Sequence, residues 1–419
     1  MPGKKLETLA GVIDAKMNRQ LKLYLDICAR CAICKDACHQ YVTTKDVKYL
    51  PAYRAELIRR IYKKYFTKTG QFVPSLYEGR DPDENLLEEL YDVMYACTGC
   101  RRCMYYCPYS IDTTWIQSIG KAMLLAAGKG SEMLTQLADA AIDKGKNIDL
   151  YKDIMRDVLK TAEKEMQDKV GDKEAHFPYD KEGANVLYAA LAGTHSILPA
   201  AIIFHMAKED WTLSMFEAAN YGYFLGDAAK AKEIAGRIID EAKKLKVKEV
   251  VVSECGHAHR VFKFFYEMWA KEKLPFKVSS ILDKVSEYIT DGRISVDPGK
   301  IDIPVTYHDP CQVGRNYGLF EEPRAVVKEI CSDFREMTPN RAKNWCCGGG
   351  GGLVAEPALE EFRKTTGKLK VDQIKDTGAK MVVSPCENCR LQLDTLNEHY
   401  KMDIEITSMI DLVVKAIKT

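Results

Sequence analysis

The sequence predicts an α + α/β protein, in which an N-terminal helical domain precedes a duplicated α/β domain with parallel sheets. Three observations lead to this prediction. Helical periodicity dominates the first part of the chain, short apolar runs alternate with helical stretches in the second part, and one pattern there occurs twice. We therefore expect a helical domain at 1–162, a charged linker at 163–184, a degenerate repeat at 185–300 and an intact repeat at 301–419.

Charge and hydropathy exclude several classes of function. The 419 residues include 61 Lys and Arg against 60 Asp and Glu, and this balance argues against a nucleic-acid surface. The N-terminus has no apolar signal stretch, and no apolar run is long enough to predict a transmembrane segment. The most apolar window, 185–207, is broken by Gly193 and Pro199 and predicts a buried strand, a turn and a buried helix. We expect a cytoplasmic protein.

Two cysteine runs lie in the N-terminal domain, CARCAICKDAC at 28–38 and CTGCRRCMYYC at 97–107. Both have the C-x2-C-x2-C-x3-C spacing that wraps a [4Fe–4S] cluster in two-cluster ferredoxins, where the fourth cysteine ligates the other cluster. A zinc site typically uses two CxxC pairs and would not need the whole run twice. We predict a ferredoxin-like domain with two cubane clusters, one held by Cys28, Cys31, Cys34 and Cys107, the other by Cys97, Cys100, Cys103 and Cys38. The first run departs slightly, because His39 stands where the second has Pro108.

The segment between the two runs has a helical register of apolar residues at Leu57, Ile58, Ile61 and Phe66. Its other face is basic. The simple interpretation is a solvated helix face, and the alternative is a docking surface for an acidic partner or an anionic membrane. The basic residues are Arg54, Arg59, Arg60, Lys63 and Lys64.

Four apolar runs in the second part predict strands that end in polar or sulfur-bearing turns: VLYAALAG, KEVVVSEC, IPVTYHDPC and KMVVSPC. Ligands of parallel sheets bind off the carboxyl ends of the strands, which is where the cysteines fall. The internal repeat pairs VVVSECGHAHR at 250–260 with MVVSPCENCR at 381–390. Only the second copy keeps the full cysteine set, because Ala258 stands where Cys389 would be.

The stretch NWCCGGGGGL at 344–353 completes a second cysteine set. Five thiolates exceed the needs of one cubane cluster, and adjacent cysteines suit a single tetrahedral ion poorly. Gly348, Gly349 and Gly350 would let the backbone approach an inorganic cofactor closely. A phosphate loop is disfavoured because the Lys-Ser/Thr of that motif is missing, and a thioredoxin-like CxxC pair is the weaker alternative. The five predicted ligands are Cys311, Cys346, Cys347, Cys386 and Cys389.

This five-cysteine pattern resembles the CCG motif of the catalytic subunits of heterodisulfide reductases. The fusion of a two-cluster domain to a CCG domain is similar to the archaeal HdrD type. It also resembles the cytoplasmic iron–sulfur subunits of sulfate-reducer membrane complexes, of the DsrK, HmcF and TmcB type. The resemblance implies a noncubane [4Fe–4S] cluster at the CCG motif, supplied with electrons through the two cubane clusters. It also implies a seat on the inner face of the cytoplasmic membrane.

The resemblance further implies partners and a reaction. Electrons would come from a menaquinol-oxidising cytochrome b subunit, or from a cytochrome c, and would reduce a disulfide, heterodisulfide or trisulfide of a DsrC-like protein or a small thiol. Two alternatives remain. One is a pure electron-transfer subunit, and the other is the iron–sulfur subunit of a quinone-linked glycolate, lactate or glycerol 3-phosphate dehydrogenase. The degenerate first repeat counts against the second alternative.

The degenerate repeat keeps one cysteine of interest, Cys255, which would face the noncubane cluster and hold a substrate sulfur. Reduction of a disulfide by two electrons takes up two protons, and histidine titrates in the useful range. His257, His259 and His308 are therefore candidate catalytic residues. Each of the four could instead be a buried structural residue.

Overall fold

The computed structural model describes residues 3–191, 194–298 and 300–418 as a mixture of helices and small parallel sheets. The chain divides into two compact units. The first comprises Met1–Gln136, Phe224–Asp227 and Trp345–Lys370, and the second comprises Leu137–Tyr223, Ala228–Asn344 and Val371–Thr419. Cys346 and Cys347 thus belong to the first unit. The domain boundaries derived from the sequence stay a prediction.

The α-helices are numbered in chain order. The first nine are α1 Gly3–Ala15, α2 Arg19–Ile27, α3 His39–Thr44, α4 Pro51–Phe66, α5 Lys68–Phe72, α6 Glu84–Tyr95, α7 Arg102–Tyr106, α8 Thr113–Ala126 and α9 Glu132–Lys146. They continue as α10 Ile148–Val170, α11 Thr194–Met206, α12 Asn220–Leu225, α13 Ala228–Lys244, α14 Gly256–Arg260, α15 Tyr266–Ala270 and α16 Ile281–Thr290. The last are α17 Glu321–Ile330, α18 Glu360–Thr366, α19 Lys368–Lys375, α20 Glu387–Tyr400 and α21 Met409–Ala416.

Helices α4, α6 and α8 pack together in the first unit. The apolar register predicted for the segment between the cysteine runs is present, and Leu57, Ile58 and Ile61 of α4 are buried. The side chain of Asp112 caps α8 by accepting hydrogen bonds from the amides of Thr114 and Trp115. This cap fixes the start of α8 a few residues after the second cysteine run.

The prediction that the basic residues of α4 form a solvated or docking face is wrong for two of them. Arg54 and Arg59 are buried, and Arg59 pairs with Glu56 one turn earlier. The lysines further along α4 are also paired, for example Lys64 with Asp81 at 2.9 Å. Apolar periodicity could not reveal this, because it locates the core face and leaves the contacts of the opposite face undetermined.

Two small parallel sheets lie in the second unit. The first has the order β2-β1-β3-β4, with β1 Val186–Leu191, β2 Trp211–Glu217, β3 Glu249–Val252 and β4 Lys277–Ser280. The second has the order β5-β6-β7, with β5 Val305–Tyr307, β6 Met381–Val383 and β7 Glu405–Thr407. The four strands predicted from the sequence are β1, β3, β5 and β6. The parallel pairing is also confirmed.

The two sheets share several features. In each, the strand that precedes a cysteine-bearing turn of the internal repeat, β3 or β6, lies between two parallel neighbours. In each, the following strand leads to a helix capped by serine. Ser280 accepts the amide of Leu282 at the start of α16, and Ser408 accepts the amide of Asp411 at the start of α21. The duplication itself stays a prediction.

Helix α10 continues through residues 163–170, which the sequence assigned to the linker. It ends at Gly171, whose φ of +70° is the left-handed conformation that glycine adopts without strain. Its buried residues Leu159, Ala162 and Met166 join the core around the first sheet. None of the described helices is both long and apolar enough to cross a membrane.

Candidate metal centre

The two cysteine runs fold alike. Arg30 and Ala32 of the first run have φ angles of 55° and 60°, and Gly99 and Arg101 at the same places in the second have 67° and 60°. Left-handed conformations at non-glycine residues are uncommon and persist only where the surroundings require them. Such alternating backbones direct successive N–H groups into an anion-binding concavity, a geometry found at many iron–sulfur sites. The repeated backbone therefore fits the predicted clusters.

The thiols of each predicted set act on one another. Burial raises the pKa of Cys34 to about 11, and the neighbouring thiols of Cys28, Cys107 and Cys31 add to this effect. Cys107 comes from the second run, as the predicted exchange of fourth cysteines requires. Cysteine must lose its proton to bind iron, so a bound metal would offset the burial and the repulsion that raise the pKa of Cys34.

The second predicted set lines a small cavity of about 20 Å³. Its lining includes all four predicted ligands, Cys38, Cys97, Cys100 and Cys103. Arg54 also lines the cavity. Burial lowers the pKa of Arg54, but electrostatic attraction to Cys97 and Cys38 outweighs this and keeps it raised. A fixed cation beside four cysteines would stabilise an anionic cofactor, so the donor set fits a [4Fe–4S] cluster.

The glycine segment is held against the second cysteine run within the first unit. Gly351 has a φ of +70°, and a Cβ there would lie 3.0 Å from Thr98 Cα and would overlap the Cys97 carbonyl oxygen. The buried Lys121 donates to the Gly351 carbonyl oxygen at 2.9 Å. Beside it, the guanidinium of Arg102 lies 3.5 Å from the ring centroid of Trp345. The backbone of Gly351 thus lies close to the run at 97–107, whereas the approach of Gly348, Gly349 and Gly350 to an inorganic cofactor stays a prediction.

The adjacent cysteines receive hydrogen bonds from the glycines that follow them. The amide of Gly348 donates to Cys346 Sγ, and that of Gly349 donates to Cys347 Sγ, both at 3.4 Å. The thiol of Cys346 donates to Thr98 Oγ1, also at 3.4 Å. Amide donors stabilise thiolate, so these two contacts fit the predicted role of both sulfurs as metal ligands.

We expect Gly351→Ala to destabilise the protein by about 3 kcal/mol, because the added methyl group combines left-handed strain with overlap of the Cys97 carbonyl. Gly171→Ala is the matched control. It has the same φ of +70° but nothing within 4 Å of the added Cβ, so it should cost about 1 kcal/mol. Urea unfolding measures both. Equal losses would contradict the close approach at Gly351.

Cys386 and Cys389 lie in the second unit, after β6 and at the start of α20. A hydrogen bond with Cys389 lowers the pKa of Cys386 most strongly, against burial, which raises it. The amides of Cys389 and Gly256 and the charge of Arg390 lower it further. These interactions favour the thiolate of Cys386, the form in which cysteine binds metal.

The turn that carries Cys255 is tied to the turn that carries Cys386. The buried carboxylate of Glu254 accepts a hydrogen bond from Arg390 and another from the amide of Met409 at 2.8 Å. The Glu254 carbonyl oxygen accepts the amide of Glu387 at 3.0 Å. Because Glu254 precedes Cys255 and Glu387 follows Cys386, these bonds fix the two turns side by side.

The same turn also lies against the segment that carries Cys311. A Cβ at Gly256 would lie 2.6 Å from Gln312 Cβ, so no side chain fits between the two segments. Gln312 Nε2 donates to Cys311 Sγ at 3.6 Å. The buried Cys255 therefore belongs to the same cluster of turns as Cys311 and Cys386, and its catalytic role stays a prediction.

Arg260 adds a buried positive charge to this cluster of turns. Its guanidinium lies 4.9 Å from the ring centroid of Phe265 and donates to Gln312 Oε1 at 2.9 Å. A buried cation of this kind favours negative charge at the neighbouring sulfurs.

The three candidate histidines occupy different surroundings. His308 Nδ1 lies 3.3 Å from Asn344 Nδ2, directly after β5. His259 packs edge-on against Tyr317 at 4.2 Å between ring centroids, and burial, together with the charge of Lys263, lowers its pKa to about 3. A neutral imidazole in that setting favours a packing role. His257 lies beside Tyr223, with 6.3 Å between ring centroids. The proton-donor roles stay predictions.

A pH dependence follows from His195, whose Nε2 lies 3.6 Å from Glu387. The hydrogen bond to Glu387 raises the pKa of His195 above 6.5. The resulting stability is fully present below pH 6.5 and is lost as the pH rises through the folded-state pKa. His195→Gln should therefore cost about 0.5 kcal/mol at about pH 5.5 and almost nothing at about pH 8.5. Urea unfolding at both values tests this, with the exposed His176→Gln as control. A pH-independent loss would contradict it.

Comparison with known proteins matches these two cysteine regions. The 4Fe-4S dicluster domain family matches residues 24–111, and the Cysteine-rich domain (CCG) family matches residues 305–394. The Hdr-like menaquinol oxidoreductase iron-sulfur subunit 2 of Archaeoglobus fulgidus is 30% identical, covering 98% of this chain and 82% of the relative. The chain belongs to this family. It is an iron–sulfur protein of an oxidoreductase family, and the resemblance stated from the sequence is confirmed.

Two further relatives of this Hdr-like protein are also named as oxidoreductases or parts of them. A dihydromethanophenazine:CoB–CoM heterodisulfide reductase polypeptide of Methanosarcina acetivorans is 28% identical and aligned over 97% of both chains. The EtfAB:quinone oxidoreductase of Syntrophomonas wolfei is 24% identical, over 88% of this chain and 54% of the relative. The presence of both family matches on one chain agrees with the predicted fusion of a dicluster domain to a CCG domain.

Sequence reasoning missed several charged residues of this Hdr-like protein. Glu254 directly precedes Cys255, and Arg390 directly follows the C-x2-C pair, so adjacency to cysteines was an available signal for both. Arg260 lies five residues beyond Cys255 with no such signal. Arg54 was assigned to a solvated face, because nothing in the local sequence connects it to cysteines more than a dozen residues away.

Proposed function

We propose that this chain takes electrons from a menaquinol-linked membrane partner and reduces a disulfide, heterodisulfide or trisulfide, of a small thiol or of a protein thiol pair. The names of the Archaeoglobus and Methanosarcina relatives support both halves of the proposal. The observation that carries it is the seat of the CC-glycine segment on the second cysteine run, with Cys346 hydrogen-bonded to Thr98. Within one compact unit, a predicted ligand of the sulfur site thereby contacts the run that is predicted to carry electrons.

The proposed ligands follow the sequence prediction. Cys28, Cys31, Cys34 and Cys107 hold one cubane cluster, and Cys38, Cys97, Cys100 and Cys103 hold the other. Cys311, Cys346, Cys347, Cys386 and Cys389 hold a noncubane [4Fe–4S] cluster. When bound, these groups supply one-electron carriers and a metal site at which sulfur is reduced.

The two predicted cubane ligand sets of the first unit differ in exposure, and this difference indicates the side on which an electron-donating partner would dock. Cys31 is exposed, whereas Cys38 and Cys97 are buried. Apolar side chains near the first set are also exposed, with Ile33 at 46% and Tyr105 at 53%. Exposed apolar and aromatic residues are typical of protein interfaces. We propose that the electron donor docks over Cys31, and that the buried set faces the Cys346 segment.

The second unit supplies groups for the sulfur chemistry. Reduction of RSSR′ by two electrons and two protons gives RSH and R′SH, and the sulfurs carry negative charge before they take up protons. Arg260, beside Gln312 and Cys311, is placed to stabilise that charge. His308 and Cys255 are proposed as proton donor and sulfur-binding residue, because their turns follow β5 and β3 at the carboxyl edges of the sheets.

The test uses the full chain, loaded anaerobically with iron and sulfide and reduced by a viologen dye. A small symmetrical disulfide, a mixed disulfide of two small thiols and a small protein with a C-terminal thiol pair are offered in turn. We expect dye oxidation with release of two thiols per two electrons for at least one probe.

The control is Cys331→Ala, because Cys331 lies at the end of α17 outside the predicted ligands and its pKa is raised to about 11 by burial alone. This variant should keep full turnover. Dye oxidation without thiol release, or no oxidation with any of the three probes in a fully loaded chain, would instead favour a pure electron-transfer role.

A further inference from the structure

His39, which follows Cys38, stands where the second cysteine run has proline, and its position in the structure suggests a function for the histidine. We propose that His39 is a positioning residue that donates a ring N–H hydrogen bond into the sulfur pair of Cys100 and Cys346, raising the reduction potential of the group held there. The proposal rests on the ligand sets proposed above. It concerns a histidine that none of the predicted ligand or catalytic roles uses.

The two sulfurs of this pair belong to different predicted ligand sets. A ring nitrogen of His39, Cys100 Sγ and Cys346 Sγ all lie within 4.8 Å of one another, and all three residues belong to the first unit. Cys100 is a proposed ligand of the buried cubane cluster, and Cys346 is a proposed ligand of the noncubane one. His39 is therefore the side chain that stands where the two ligand sets meet.

The imidazole is buried and incompletely bonded. His39 is 2% exposed, and among the described residues its Nε2 has no hydrogen-bond partner. Buried polar atoms are nearly always satisfied, so an orphaned ring nitrogen points to an acceptor that only the loaded protein supplies. Thiolate and cluster sulfurs are such acceptors, and they carry more negative charge than the thiols they replace.

Local structure holds the ring in place. His39 is the first residue of α3, and α18, which follows the glycine segment, packs against α3. Hydrogen bonds to ligand sulfur stabilise the reduced, more negative state of an iron–sulfur cluster, and groups behind the ligands tune a metal site strongly. A donor shared by two ligand sulfurs would thus help to keep electrons at the point of transfer.

The helix position allows three informative variants. His39→Pro restores the residue found after Cys107 in the second run, and proline is well tolerated at the first position of a helix. His39→Phe keeps an aromatic ring without a donor. His39→Gln keeps an N–H donor without the ring. The exposed His176→Phe, in the second unit, serves as the control.

The readout is an EPR-monitored redox titration of the loaded full chain, with no sulfur substrate present. At fixed ambient potential we expect Pro and Phe to lower the reduced-to-oxidised ratio of at least one cluster signal about tenfold, which corresponds to about 59 mV for one electron. Gln should retain most of the wild-type ratio, and iron and sulfide per chain should be unchanged. His176→Phe should behave as wild type.

Several results would overturn the proposal. These are wild-type potentials in both the Pro and Phe variants, equal shifts in Gln and Phe, and loss of iron from all three variants, which would make His39 a ligand or a folding residue. The titration requires no disulfide, so it can succeed when thiol release fails. Thiol release can likewise succeed when the potentials do not move, and the two proposals fail separately.

Discussion

Serine at Cys346 or Cys347 will reduce sulfur turnover by at least about 100-fold while the dicluster signals of the N-terminal part persist. The reason is the separation of roles within the first unit, where Cys346 hydrogen-bonds to Thr98 of the second cysteine run. Neither Cys346 nor Cys347 is among the residues that line the four-thiol cavity of that run. Serine oxygen is a harder and less polarisable ligand than thiolate, so the proposed noncubane site should fail to assemble.

Iron content, EPR and thiol release measured on the same preparations test this expectation. Cys331→Ala is again the control for removal of a cysteine. If Cys346→Ser and Cys347→Ser keep wild-type turnover, neither sulfur is a ligand. If both variants also lose the dicluster signals, the CC-glycine segment is needed to build the N-terminal sites and the separation of roles is wrong.

Arg324→Met will destabilise the protein by about 3–5 kcal/mol, because it leaves the carboxylate of Asp309 buried without its cation. Arg324 is 1% exposed and donates two hydrogen bonds, of 2.7 and 2.8 Å, to the carboxylate of Asp309. Asp309 also accepts the amide of Arg341 at 2.8 Å. Because Asp309 lies between His308 and Cys311, this ion pair fixes the turn that carries a proposed ligand.

Urea unfolding measures the loss, and Arg335→Met provides a matched control. Arg335 pairs with Asp333 at 2.6 Å, but both side chains are 41% exposed, so the loss there should be much smaller than for Arg324→Met. Arg324→Lys should recover only part of the stability, since a single ammonium cannot make the forked contact. Similar losses for Arg324→Met and Arg335→Met would show that burial does not set the strength of this pair.

The sequence was most informative where chemistry and periodicity coincide. The cysteine runs carry their own spacing, and β1, β3, β5 and β6 are apolar runs that end in distinctive turns. By contrast, β4 reads KVSS and β7 reads EIT, which are short and polar. Such segments become strands only through pairing with β3 and β6, and no local signal specifies that pairing.

The basic face of α4 illustrates a second limit. A helical wheel separates apolar from charged residues, but it does not show whether the charged face contacts water or a cavity lined by cysteines. Arg54 lines such a cavity, and the electrostatic effect of Cys97 and Cys38 holds its pKa up despite burial. The departure at His39 was visible in the sequence, yet its meaning depended on bringing residue 346 to residue 100, a contact across most of the chain.

The first unit is assembled from three stretches of chain, and this has a consequence for biosynthesis. Lys121 is fully enclosed, and its ammonium donates to the carbonyl oxygens of Phe224 and Gly351, both at 2.9 Å. Burial lowers the pKa of Lys121 to about 8. Neither acceptor exists when the ribosome has made only the first 136 residues. The first unit therefore cannot complete its fold before residue 351 has left the ribosome. Until then, which is most of the time taken by translation, the cysteine runs at 28–38 and 97–107 are incompletely enclosed.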